Sequence, residues 1–449
     1  MKGKISMSQL PVAIIGAGPV GLAASAHLIE RGLKPIVFEA GSEIGANVRD
    51  WGHVRMFSPW EYTVDSASVR LLQAHGWQMP LAQELPTGHD LVTKYMQPYS
   101  QLPEIREHIH LNTRVVAISR RDIDKMKDRG RDDAAFVLHV VNGDGTESLV
   151  EAQAVIDASG TWHQPNPLGS GGLPAIGEKQ HTGHIRYGIP DIAGSDQSRY
   201  ANQRVMVVGS GHSAINALLD LASLKDAHPD TQIYWAMRGT NMQAVYGGQE
   251  DDALPARGAL GQRVRLRVEA GDISVLSPFR IRQFEDASNG MRVIGDAPEG
   301  ETSVVVDEVI AATGARPDLD MIRELRLELD PSLESSRTLG PMIDPNIHSC
   351  GTVPPHGEAE LRHPEKNFYI VGMKSYGRAP TFLLATGYEQ VRSVVAALAG
   401  DWEAAKDVQL KLPETGVCST DFADDSDDSA CCGTAVETSI SLDAIRIKQ

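Results

Sequence analysis

A glycine turn of the form Gly-x-Gly-x-x-Gly/Ala, set between an apolar run and an Ala/Leu-rich stretch, occurs twice in this chain: Gly16-Ala17-Gly18-Pro19-Val20-Gly21 and Gly209-Ser210-Gly211-His212-Ser213-Ala214. Such a turn constrains the fold strongly, because it has to join a strand to a helix. Its first glycine makes the tight turn, the second lets backbone approach a pyrophosphate, and the third, where alanine is tolerated, allows close helix packing. The helix N-terminus then stabilises phosphate charge. The flanks agree. Pro11 to Ile15 reads as a buried strand, Pro19 to Arg31 as a helix and Pro35 to Phe38 as a second strand. From Arg204 the grammar repeats, with strands at Val205 to Val208 and Ile233 to Met237 around a helix at Ser213 to Leu224. The expected class is α/β, with two Rossmann-like dinucleotide-binding units.

The two units differ where ligand choice is made. Glu39 closes the strand after the first turn and is placed to accept hydrogen bonds from a ribose 2′-hydroxyl. The corresponding strand of the second unit carries no acid and ends in Arg238, either a partner for a 2′-phosphate, favouring NADPH over NADH, or a plain surface arginine. An acid in one unit and an arginine in the other imply two different dinucleotides, and hydride passing between them is their simplest use.

Between the units lie an aromatic- and proline-rich stretch, Trp51 to Arg121, and a charge run, Asp122 to Asp133, expected as a solvated hairpin or loop. Ser303 to Ala312 and Asn367 to Val371 read as return strands of a doubly wound sheet, and Thr381 to Leu398 as a helix. The expected division is 1–200 and 316–410 for the first unit, 201–315 for the second, and 411–449 as a flexible, disordered tail. That tail is acidic from Asp421 to Asp428 and poor in core-building residues.

With 59 acidic against 42 basic residues and a net charge of -17, electrostatic binding to nucleic acid or anionic membrane is disfavoured. The apolar stretch from Leu10 to Leu28, preceded by Lys2 and Lys4, has the look of a signal peptide, but its strictly spaced glycines belong to a nucleotide turn. No stretch reads as a membrane span. The four cysteines, Cys350, Cys418, Cys431 and Cys432, make no disulfide framework, so a cytoplasmic, reducing compartment is expected. His53, His163, His181, His184 and His212 lack metal-ligand spacing and are expected as hydrogen-bonding loop residues.

These motifs together resemble the two-dinucleotide-binding-domain flavoproteins, particularly the flavin-dependent monooxygenases. The resemblance runs from about Pro11 to Leu398 and includes Asp157-Ala158-Ser159-Gly160-Thr161-Trp162, Ala312-Thr313-Gly314 and Phe368-Tyr369-Ile370-Val371-Gly372. It implies FAD on the first unit, with Gly16, Gly18, Pro19, Gly21, Glu39 and Gly372 as contacts and Arg49 as a flavin or pyrophosphate neighbour, and Thr313 and Gly314 as further cofactor contacts. It implies NADPH on Gly209, Gly211, Ser213, Ala214 and Arg238. Met373 stands where the family often places an aspartate, and Gly183 to Tyr187 only loosely matches the monooxygenase signature. No CxxC or CxxxxC occurs, which removes the usual dithiol relay of disulfide reductases.

Segments such as Gly45-Ala46-Asn47-Val48-Arg49-Asp50-Trp51-Gly52-His53 further resemble flavoproteins associated with arsenic resistance. The adjacent Cys431 and Cys432, with Cys418 nearby, are similar to the metal-delivering tail of mercuric reductases. They read either as a soft-ligand trap for trivalent arsenic or as incidental tail residues. The resemblance implies oxygen transfer through a peroxyflavin, from dioxygen to a small molecule. The substrate is a trivalent arsenical in one reading and an organic amine, sulfide or ketone in another. A redox sensor that holds a metalloid with little turnover is a third.

Overall fold

The computed structural model describes residues 9–246, 255–348, 353–380 and 382–410. The tail expected at 411–449 and all four cysteines lie outside the described residues.

In chain order, β1 (Val12–Ile15), β2 (Pro35–Phe38) and β3 (Ile109–His110) lead into an antiparallel meander of β4 (Thr113–Arg120), β5 (Phe136–Asn142) and β6 (Glu147–Ala152). Next come β7 (Ala154–Asp157), β8 (Ile185–Tyr187), β9 (Arg204–Val208), β10 (Gln232–Ala236) and β11 (Ile273–Leu276). A second meander, β12 (Arg280–Ala287), β13 (Gly290–Ala297) and β14 (Gly300–Val306), precedes β15 (Glu308–Ala311) and β16 (Phe368–Ile370).

Two parallel sheets result. The first runs β16-β7-β1-β2-β3 and the second β11-β10-β9-β15-β8. Their strands are short apolar runs because helices and meanders cover both faces; β1 and β7 are buried at every residue. The meander strands β4 and β12 instead mix buried with exposed positions, as strands with one solvated face do. In each sheet the strand order reverses beside the strand that ends in a glycine turn, between β1 and β7 and between β9 and β15. That leaves a crevice at the carboxyl ends of the strands, the usual ligand position in a doubly wound fold.

The helix Pro19–Glu30 is buried from Val20 to Leu28, since it packs on β1 and β2 and is also covered by the helix Leu384–Leu398. That second helix begins at Leu384, later than the Thr381 expected from sequence; Thr381 lies outside the described residues.

One expectation needs correction, and a second holds with one exception. Ser303 to Ala312 is not one strand. At Asp307 the chain leaves the antiparallel meander and enters the parallel sheet beside β9, and the Asp307 carboxylate fixes the corner by accepting from the Arg204 backbone N–H at 2.8 Å and the Arg204 guanidinium at 2.7 Å. The run Asp122 to Asp133 is largely exposed, yet Arg131 within it is 3% exposed. Its guanidinium bonds Glu365 at 2.7 Å, and Arg120, stacked 3.6 Å from the centroid of the Phe136 ring, bonds the other oxygen of Glu365 at 2.7 Å. This buried Arg–Glu–Arg group ties the first meander to the segment leading into β16. One strand of the second sheet, β8, comes from before residue 200.

Candidate cofactor-binding site

Each glycine of the first turn has a distinct physical reason. Gly16 has φ +100°, and a Cβ there would lie 2.8 Å from the carbonyl oxygen of Ala158 at the end of β7. A Cβ on Gly21 would lie 2.0 Å from the carbonyl oxygen of Gly16, so the helix closes on the turn only because that side chain is absent. At Gly18 a Cβ would meet nothing within 4 Å. Gly18 is the N-cap of the helix, no side chain caps it, and Pro19 follows as the first helical residue. Glu39 turns back under the turn, its carboxylate accepting from Ala17 N–H at 2.7 Å and Gly41 N–H at 2.8 Å.

The second turn repeats this geometry. Gly209 has φ +133°, and a Cβ on it would lie 2.3 Å from the carbonyl oxygen of Ala312 at the end of β15. Gly211, N-cap of the helix His212–Ala227, faces open space and has no side-chain cap either. Ala214 fits at the third position fully buried, while Ser213 is half-buried. Arg238, just beyond β10, is exposed and donates to the Ser170 carbonyl at 3.2 Å. Thr313 and Gly314 form the turn after β15. The Thr313 hydroxyl donates to the Asn166 carbonyl at 2.6 Å, and the Asn166 side-chain amide donates to the Thr313 carbonyl at 3.1 Å.

Both helices therefore present uncapped N-terminal N–H groups beside glycines with open space in front of them. An anion is the natural partner for such groups, and the cradle fits a dinucleotide pyrophosphate.

Gly372, with φ +70°, follows β16 and packs against Val20 of the first helix. Its N–H donates to Gln390 Oε1 at 2.8 Å. The Gln390 amide in turn donates to Ser375 Oγ at 2.9 Å and to His356 Nε2 at 3.0 Å. Lys374, 1% exposed, reaches back to the end of β7, where its ammonium donates to Asp157 Oδ2 at 2.7 Å and Ser159 Oγ at 3.1 Å.

Arg49 pairs with Glu43 at 2.9 Å and lines a polar cleft of about 420 Å³. Asp50, His53 and His89 border it, together with Asp191 and Ser195 from the segment between β8 and β9. Trp162 Nε1 donates to Asp50 at 2.8 Å, and across the two units the Phe57 and His212 rings lie 5.1 Å apart. The histidines divide. His181 donates to the Gly177 carbonyl at 2.8 Å and His184 to the Asp307 carbonyl at 3.1 Å, but His163 is simply exposed. His212 heads a helix, not a loop. His53 lies in a turn, and its Nε2 is buried with no hydrogen-bond partner. Near it, burial pushes the Asp220 carboxyl up from the ordinary range, partly offset by His53 and Arg263.

Among the described residues no group of three or more His, Cys, Asp or Glu is placed to hold a metal, and no helix is long and apolar enough to cross a membrane. The proposed thiol set, Cys418, Cys431 and Cys432, lies outside the described residues. Sequence reasoning passed over Lys374, Asp157 as its partner, Gln390 and Glu365. The one available signal was a lone acid closing the apolar run Ala154-Val155-Ile156-Asp157.

Two parallel sheets, each with a glycine turn at its switch point, define an oxidoreductase fold with two dinucleotide-binding units. The chain belongs to the pyridine nucleotide-disulphide oxidoreductase family, whose model matches residues 13–349. It is 29% identical over 219 residues to flavin-containing monooxygenase 1 of Mus musculus, an alignment covering 47% of this chain and 38% of the relative. It is 25% identical over 222 residues to senecionine N-oxygenase of Tyria jacobaeae, covering 47% and 44%. The chain thus spans less than half the length of these relatives. Its fold is similar to that of bacillithiol disulfide reductase from Bacillus cereus, with TM-score 0.66 and 17% identity, covering 87% of this chain and 99% of that one. It is also similar to the FAD-bound cadaverine monooxygenase of Erwinia amylovora, with TM-score 0.62 and 12% identity, covering 90% and 97%.

Proposed function

We propose that the chain is an NADPH-dependent flavin monooxygenase in which residues 1–200 and 316–410 hold FAD, and residues 201–315, with β8 added, hold NADPH. The observation that carries this is the pair of uncapped glycine turns at the two switch points, one backed by Glu39 and the other followed by Arg238.

Gly16, Gly18, Pro19 and Gly21 bring the first helix N-terminus to the FAD pyrophosphate, with Glu39 at the adenosine ribose and Gly372 and Arg49 at the edges of the site; Thr313 and Gly314, after β15, stand at the crevice of the second turn. Gly209, Gly211, Ser213 and Ala214 do the same for NADPH, and Arg238 pairs with its 2′-phosphate. When bound and reduced, FAD supplies the electrons that activate dioxygen, one oxygen atom going to the substrate and the other to water. The chain's own residues orient the reactants and keep bulk water out. The cleft at Arg49, His53 and Asp191 is the substrate's position.

The disulfide reductase alternative is disfavoured because the sequence contains no CxxC or CxxxxC. For the substrate we favour a trivalent arsenical, arsenite or an organoarsenite, oxidised to the pentavalent form. The support is in the sequence: Cys418 and the vicinal Cys431 and Cys432 are soft ligands of the kind that collect such ions. An organic amine or sulfide is the second reading, favoured by the similarity to an N-oxygenase.

The test starts from the absorption spectrum of the purified protein and its NADPH consumption with arsenite, methylarsenite and a tertiary amine. A flavin spectrum with arsenical-stimulated NADPH oxidation, lost in Cys431→Ser/Cys432→Ser, is expected. Stimulation by the amine alone overturns the arsenical assignment, and a protein unable to take up FAD overturns the whole reading.

A further inference from the structure

The Asp157–Lys374 ion pair is 0% and 1% exposed at its two ends and joins segments that the proposed cofactor contacts leave unconnected. Asp157 closes β7, and its Oδ1 accepts from both the backbone N–H of Ser159, at 3.1 Å, and the Ser159 hydroxyl, at 2.7 Å. That fixes the turn Ala158–Ser159. A Cβ on Gly16 would lie 2.8 Å from the Ala158 carbonyl oxygen and 3.2 Å from Ser159 Cα, so this turn is the wall against which the first glycine of the FAD turn rests. Lys374 comes from the opposite side. It belongs to the short turn after β16, whose Gly372 packs on Val20 of the same glycine-turn helix.

We propose that Lys374 is a positioning residue for the flavin dinucleotide. Its ammonium, held by Asp157 and Ser159, latches the turn after β16 to the end of β7 and so fixes both walls of the crevice beside Gly16. The inference rests on the reading that this unit holds FAD. It assigns to Lys374 no contact with the cofactor: the effect passes through Asp157 and Ser159 to the backbone at Ala158, and through Gly372 to Val20. A buried ammonium is costly unless paired, so the latch is strong only while both partners are present.

Two variants separate the latch from simple stability. Lys374→Met keeps the four-atom apolar stem but removes the ammonium, leaving the Asp157 carboxylate buried without its cation. Asp157→Asn/Lys374→Met removes both charges, while the new side-chain amide oxygen still accepts from Ser159. The readouts are the thermal midpoint of the FAD-free protein and the FAD dissociation constant from flavin fluorescence. The first variant is expected to melt lower and to bind FAD at least tenfold more weakly. The double variant is expected to recover most of the melting temperature while FAD binding stays at least tenfold weaker.

Wild-type FAD affinity in a folded single variant overturns the latch. So does recovery of both stability and affinity in the double variant, which would make the lone carboxylate, not the missing tie, the cause. Failure of the unsubstituted protein to take up FAD is a different result: it removes the FAD reading and this inference with it.

Discussion

Gly209 sits so close to Ala312 that a Cβ on it would come within 2.3 Å of the Ala312 carbonyl oxygen, and Gly16 stands in the same relation to Ala158, at 2.8 Å. The two units therefore build their crevices alike, with the first glycine of the turn pressed on the end of the strand across the switch point. Substitution at these glycines acts on the fold, whereas substitution at the second glycine of each turn acts on the ligand.

Gly211→Ala is the cleaner probe. Its new methyl group meets nothing within 4 Å in the unliganded fold, so its melting temperature is expected within a degree or two of wild type. The methyl group stands where a pyrophosphate approaches backbone, and NADPH affinity is expected to fall at least tenfold with FAD content unchanged. Gly209→Ala, strained at φ +133° and blocked by Ala312, is expected to lower the melting temperature as well. Calorimetry and NADPH titration on the two variants check this.

Arg238 is exposed and, among the described residues, donates to the Ser170 carbonyl, so its removal is expected to cost the fold little. A charge-assisted bond to a phosphate contributes roughly 1.5–3 kcal/mol. Arg238→Ala is expected to weaken NADPH by about ten- to a hundredfold and to leave NADH unchanged, measured as the ratio of the two KM values. Equal loss of both dinucleotides rules out the 2′-phosphate role.

Glu365 carries both Arg120 and Arg131 in the interior. Burial alone raises its carboxyl, but the bonds from Arg131, the Arg326 N–H and Arg120 outweigh it and hold it below its ordinary value. A carboxyl depressed in the fold stabilises above its unfolded pKa and loses that contribution as pH falls through its folded value. Glu365→Ala leaves two buried guanidinium groups unpaired and is expected to cost about 3–5 kcal/mol in denaturant unfolding. Glu365→Gln is expected to flatten the acid limb of the stability curve.

His363 shifts for a different reason. Burial pulls it down to about 4, only partly opposed by Glu328, so the folded protein keeps it neutral while the unfolded chain protonates it near 6.5. Between those values the unfolded state binds more protons, and stability falls as pH falls from about 6.5 to 4, by up to roughly 3 kcal/mol from this residue. His356, also lowered by burial, adds to the same trend. His363→Met is expected to lose less stability than wild type between pH 7 and 5 in parallel urea titrations. Identical losses overturn the assignment.

The glycine turns, the strands and helices flanking them, Glu39 and Arg238 were legible in the sequence because each depends on local backbone geometry. A positive φ, a period of two or of 3.6 and a missing Cβ are written into a few consecutive residues. The strand expected at Ser303 to Ala312 failed at Asp307 for the opposite reason. Asp307 and Glu308 interrupt its apolar pattern, but the pair alone does not say that the two halves enter different sheets; the tie from Asp307 to Arg204, far earlier in the chain, makes that corner. Arg131 likewise looked like one more charge in a solvated run until the fold brought Glu365 to it.

What the sequence by itself determined is the pair of dinucleotide units and the residue types at their turns. What only the tertiary structure decided is which charges meet in the interior: Lys374 with Asp157, 217 positions apart, and Arg120 with Glu365, 245 apart. A buried charge has to find a partner, and nothing local specifies which one. The packing of β16 beside β7 selects the first pair, and the packing of the meander over β16 selects the second.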